Sequence, residues 1–86
     1  MIFKAFSITD SAAETYNLPM FVPTAGVAIR SFEDQCKDPE SMLNKHPHDY
    51  MLCEIGEFDS DKGILIPLEI PHAIAKASDY VKRSKK

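Results

Sequence analysis

The chain predicts an α+β fold, a small antiparallel sheet of about three strands covered by two to three helices. Three observations lead there. In residues 24–37, Ala25, Ala28, Ile29, Phe32 and Cys36 fall at i, i+3, i+4, i+7 and i+11, the spacing that lays one apolar stripe along a helix. Residues 50–58 and 64–68 have strand composition, and Asp59-Ser60-Asp61-Lys62-Gly63 between them is polar and ends in glycine, the pattern of a hairpin. Residues 2–9 are apolar and β-branched on both faces, with Ile2, Phe6 and Ile8 on one side and Phe3 and Ala5 on the other, as in a central strand.

Taken in chain order, each element has a local cause. Residues 10–23 contain two prolines and no sustained period, so they read as a loop with a helical turn near residues 11–14. That loop nevertheless carries Tyr16, Leu18, Met20, Phe21 and Val22, so it should fold back on the domain or meet a partner. Thr24 caps the first helix, whose outer face offers the opposite-charge pairs Arg30/Asp34 and Glu33/Lys37 at i, i+4. Asp38-Pro39-Glu40-Ser41 reads as the start of a second helix, with Asp38 as acceptor cap and Pro39 presetting the first helical φ. His46-Pro47 closes it, because a residue before proline is pushed out of the α region.

In the hairpin, Gly63 supplies a positive φ, Gly56 implies a bulge or a close backbone approach, and Pro67 confines its strand to an edge. After Pro71, Ile70, Ile74, Ala77 and Val81 repeat at helical spacing and predict a C-terminal helix leading into a basic tail. The expected division is therefore a core over residues 1–71 and a helix plus basic tail over residues 72–86.

Composition narrows the function. At 86 residues and 44% hydrophobic content the chain supports one folded domain, with little room for a deep enzyme cleft. No apolar run is long enough to span a membrane and no leader pattern precedes one, so a soluble cytoplasmic protein is expected. Cys36 and Cys53 stand apart and outside any C-x-x-C spacing, as free buried thiols do. The net charge of −3 is unevenly spread. Residues 1–71 hold five Lys/Arg against twelve Asp/Glu, a net of −7, whereas residues 72–86 hold five against one, a net of +4. An acidic body thus carries a basic tail suited to phosphates, although a frayed solvating terminus has the same composition.

The run Ala28-Ile29-Arg30-Ser31-Phe32, then Asp38-Pro39-Glu40-Ser41-Met42, then Lys45-His46-Pro47-His48-Asp49-Tyr50, then Ile55-Gly56-Glu57-Phe58-Asp59 followed by Gly63 and Pro67-Leu68, resembles the small non-structural protein of gokushoviruses, single-stranded-DNA phages of the Microviridae. The resemblance covers about residues 2–71. It implies a phage protein of the host bacterial cytoplasm, described as DNA-binding and likened by genome position to the protein that switches replication toward single-stranded genome synthesis and packaging. The lysine-rich extension after Pro71 departs from shorter members, so a role for it is not implied by the resemblance.

Candidate chemical sites reduce to binding. His46, His48 and His72 with Cys36 and Cys53 are ligand types without ligand spacing, so no metal is expected. Asp59, Asp61 and Gly63 lack the glycine and terminal Glu placement of a calcium loop and read as a turn. Asp49, Glu54 and Glu57 could form a nuclease carboxylate set, but Glu54 and Glu57 face opposite ways on a regular strand. There is no phosphate loop and no nucleophile triad, so neither enzyme activity nor a cofactor is expected. The candidate nucleic-acid contacts are Lys76, Lys82, Arg83, Lys85 and Lys86 for phosphates, with Tyr80 as a base-stacking ring. Tyr16, Phe21 and Tyr50 are further aromatics, for which core packing competes with stacking, above all for Phe21 and Tyr50.

The reading that follows is a non-catalytic phage protein binding single-stranded DNA, acting as a homodimer that gathers several tails. The alternative is an interaction module with no nucleic-acid contact, meeting another phage replication or capsid protein or a second copy of this chain through the acidic body, the loop of residues 16–22 and the Pro67 edge, and a homodimer is expected under either reading.

Overall fold

The computed structural model describes residues 1–81. Its elements are β1 (Ile2–Asp10), β2 (Thr15–Tyr16), β3 (Met20–Val22), α1 (Ala25–Lys37), α2 (Met42–Lys45), β4 (Tyr50–Asp59) and β5 (Ile64–Lys76), with 3₁₀ turns at Pro47–Asp49 and Ala77–Asp79. All strand pairings are antiparallel, in the order β2-β1-β4-β5 with β3 also on β1. The α+β class holds, but the sheet has five strands rather than about three. Its helical cover is α1 and the four-residue α2.

β1 is central, as its two-faced apolar pattern predicts, with β4 along one side and β2 and β3 along the other. The segment 10–23 is therefore more than a loop. Residues 11–14 form a turn rather than a helical turn, with Asp10 Oδ1 accepting from the N–H groups of Ala12 and Ala13 and Glu14 at φ 58°. Between β2 and β3 a gap opens opposite Ser7 and Ile8, and Asn17 fills it. Its side-chain oxygen accepts from Ile8 N–H at 2.8 Å, its own N–H donates to the Ile8 carbonyl at 3.0 Å, and the buried Ser7 hydroxyl donates to its carbonyl at 2.7 Å.

α1 begins and ends where its sequence signals place it. The Thr24 hydroxyl accepts from Val27 N–H, and the stripe is seated on the sheet with Ala28, Phe32 and Cys36 buried. On its outer face Glu33 and Lys37 close to 2.7 Å. The cap of α2 differs from expectation. Asp38 ends α1 and its carboxylate accepts from Glu40 N–H, while Ser41 caps α2 by accepting from Leu43 N–H. Ser41 wins because the Asp38 carboxylate is consumed one turn early.

The hairpin bears out its three glycine and proline signals. Gly63 sits at φ 68°, after a turn in which Asp59 Oδ1 accepts from the N–H groups of Asp61 and Lys62. Ile55 is an extra residue: Phe6 pairs with Glu54 but Ala5 with Gly56. On the other side Glu54 pairs with His72 and Gly56 with Pro67, so residues 68–71 loop outward opposite Ile55. β5 pairs only with β4, the edge position that Pro67 requires.

The C-terminal helix is not formed. β5 continues through Pro71 to Lys76, and Ala75 and Ala77 pack in the core. Ile70, Ile74, Ala77 and Val81 share helical spacing, yet the N-cap position before Pro71 would be Ile70, which has no acceptor, while residues 51–54 of β4 offer a ladder. Pairing satisfies those backbone groups without a cap.

The core is one cluster on the α1 side, with Phe6, Phe32, Leu52 and Cys36 wholly shielded. Phe32→Ala should cost about 3–5 kcal/mol and Arg30→Ala, on the exposed face, under about 0.5 kcal/mol, measured by urea unfolding. A Cβ on Gly56 would lie 2.6 Å from the Ile66 carbonyl oxygen and 3.0 Å from the Pro67 Cα, both backbone atoms. Gly56→Ala should therefore cost about 1–3 kcal/mol in the same melt, whereas Gly63→Ala, with open space around it, should lose only about 1–2 kcal/mol from its positive φ.

Candidate functional site

Two surfaces stand out, at opposite ends of the sheet. The first is polar. Asn44 Nδ2 donates to the Cys36 carbonyl at 2.8 Å and ties α2 beneath α1, so the turn that follows is fixed in place. His46 N–H donates to Met42 O and Asp49 N–H to His46 O, and Pro47 is buried beneath them. An open cleft of about 580 Å³ results, lined by Lys45, His46, Pro47, His48, Asp49, Ser78 and Val81. Lys45, His46 and His48 are exposed, giving one cation and two imidazoles on a single rim. Val81, on the wall of this cleft, is the last described residue.

Of the residues expected to contact nucleic acid, Lys76 is exposed at the end of β5, two residues before Ser78. Tyr80 is half-buried, its ring edge-on to Phe32 at 6.1 Å and 84°, so it is occupied as a core contact rather than presented to bases. Lys82, Arg83, Lys85 and Lys86 lie outside the described residues. In the sequence His46-Pro47-His48 reads as a helix stop with two metal-ligand types, and the structure adds its place on the rim of this cleft.

The second surface is the face of the sheet opposite α1. In β1, Phe6 and Ile8 join the core while Phe3, Ala5 and Ser7 point the other way. Phe3 pairs across to Phe58, Phe58 to Leu65, Ala5 to Phe21 and Gly56 to Pro67, so these residues share that face. Phe21 and Phe58 meet edge to face at 5.8 Å. Phe21, expected in the core, is 45% exposed, and Leu65 is 64% exposed. Two apolar hollows of about 250 and 500 Å³ lie side by side there, sharing Phe21 and Leu65 as walls. The alternation of Phe3 and Ala5 opposite Phe6 carried this signal, but nothing in the sequence showed that the second face would lack a covering helix.

The carboxylates do not converge. The bulge at Ile55 corrects the expectation that Glu54 and Glu57 face opposite ways: Glu57 pairs in register with Lys4, and Lys4 Nζ also lies 3.6 Å from Glu54. Glu54 and Glu57 therefore share the Lys4 face, with Glu54 in the ion pair and Glu57 opposite Lys4 in register. Among the described residues no group of three or more His, Cys, Asp or Glu is placed to hold a metal ion.

Both cysteines are buried free thiols. Burial, with Glu33 adding to it, pushes the Cys36 thiol up to about 11, and burial raises Cys53 as well. At neutral pH neither supplies a thiolate. Ellman's reagent should therefore react with neither on the timescale of an exposed thiol, and with both once the chain is unfolded in guanidinium.

A one-sided sheet with a basic-rimmed cleft and an open apolar face defines a small α+β protein whose accessible features are surfaces rather than an enclosed chamber. The chain belongs to the Phage ORF5 protein family, which it matches over residues 3–80. It is 37% identical over 68 residues to Protein ORF5 of Chlamydia phage 1, covering 74% of this chain and 71% of that protein. The resemblance to a gokushovirus protein of the Microviridae thus holds at the level of family. No solved structure matches the chain. Among the described residues no helix is long and apolar enough to cross a membrane.

Proposed function

We propose that this phage protein is non-catalytic and binds single-stranded DNA in the host bacterial cytoplasm, in viral genome replication or in the switch to single-stranded genome synthesis and packaging. One observation carries the reading: Val81, which immediately precedes Lys82, Arg83, Lys85 and Lys86 in the sequence, lines the cleft rimmed by Lys45, His46 and His48. Lys45 on the rim and the lysines and arginine of the tail would together neutralise phosphates of one bound strand. The acidic body opposes a polyanion elsewhere, which confines contact to this end. Such contacts neutralise phosphates without reading base edges, so binding would be weakly sequence-dependent. Tyr80 serves in this reading as the anchor that fixes the start of the tail to Phe32.

A second reading, an interaction module for other phage replication or capsid proteins, is favoured by Leu18, which stands 90% exposed in the segment between β2 and β3. Titration of fluorescent single-stranded and duplex DNA at several salt concentrations separates the two. The intact chain should bind the single strand with a salt-dependent affinity. Deleting residues 82–86 should flatten the slope of log affinity against log salt by up to about 2.8, and Lys45→Ala by about a further 0.7. An unchanged slope removes the basic end from the mechanism, and no binding at low salt leaves the interaction module standing.

A further inference from the structure

We propose that the helix-free face of the sheet is the docking surface for a second copy of this chain, related by a two-fold axis and packed face to face. The inference does not depend on DNA binding. Its first support is composition. Phe3, Phe21, Phe58, Leu65 and Pro67 form the face, and Glu57 is the one charged residue among those lining its hollows. A chain whose residues 1–71 carry a net −7 can meet its own copy there while burying almost no like charge.

The second support is shape. Phe21 and Leu65 stand between the two hollows and line both, so one patch presents ridges and hollows together, as a two-fold interface requires.

The open edge of β5 is the other route to a dimer, and it is blunted. Residues 68–71 bulge away from the ladder, and Pro67 and Pro71 remove two donors. Bases of a single strand could also stack on exposed phenylalanines, but no Lys or Arg lines either hollow to hold the phosphates between them.

Sedimentation equilibrium of the full chain at micromolar concentrations tests the proposal, with far-UV circular dichroism to confirm folding. The wild type should sediment at twice the 9.7 kDa chain mass, and so should Val27→Asp, on the exposed side of α1. Leu65→Asp should sediment at the chain mass with an unchanged spectrum, and Phe21→Ser serves as a second disruptor should the first misfold. A wild type of single-chain mass across the series overturns the proposal, as does a folded Leu65→Asp as dimeric as the wild type. A monomeric wild type whose affinity for oligothymidylate falls on Phe21→Ser gives the face to single-stranded DNA instead.

Discussion

Only one long helix, α1, lies over this sheet among the described residues, and it is too short for it. α1 has 13 residues, about 20 Å of helix, while β4 and β5 have 10 and 13 residues, about 33 Å and 43 Å of strand. The domain extends 53 Å along its longest axis and 23 Å and 18 Å across. Packing therefore concentrates where α1 lies, around Phe6, Phe32 and Leu52, and the hairpin end of the sheet extends past it. Ile64, Leu65 and Ile66 are apolar and exposed because nothing in the described chain reaches them. The same mismatch separates the two functional surfaces. The polar cleft forms where the helices end, and the apolar face lies on the side the helix never covers.

Much of this was legible in the sequence because it was written in local terms. The Ala28–Phe32–Cys36 stripe, the Thr24 cap, Gly63 in its turn, Gly56 at a close approach and Pro67 at an edge each depend on a few neighbouring residues, and each appears as expected. The failures were non-local. Helical spacing after Pro71 was outweighed by the hydrogen-bond ladder on β4, whose register depends on residues some twenty positions earlier. Asp38 could not cap two structures at once, which a pattern of residue types does not reveal. The bulge at Ile55 reversed the facing of Glu54 and Glu57, because side-chain alternation holds only while the ladder is unbroken.

The candidate sites show the same division. The basic tail and its charge contrast with the body are plain in the sequence, but the cleft that Val81 lines is assembled from α2, a 3₁₀ turn and the segment after β5. Tyr80 was visible as an aromatic and invisible as a neighbour of Phe32, 48 positions earlier in the chain. Rings such as Phe21 and Tyr80 exchanged expected places: the one read as core is open, and the one offered for stacking is packed.

Asn17 has an effect beyond its own hydrogen bonds. By taking Ile8 N–H on its side chain and returning its own N–H to the Ile8 carbonyl, it stitches β2 and β3 into one continuous border along β1. The outer edges of that border belong to strands of only two and three residues, and the opposite border is bent and carries two prolines. With two very short strands on one margin and a crooked strand on the other, the sheet presents no long straight edge to which a copy could add. A sheet this apolar is thereby kept from growing into cross-β fibres, and its exposed surface remains free for contacts that close on themselves.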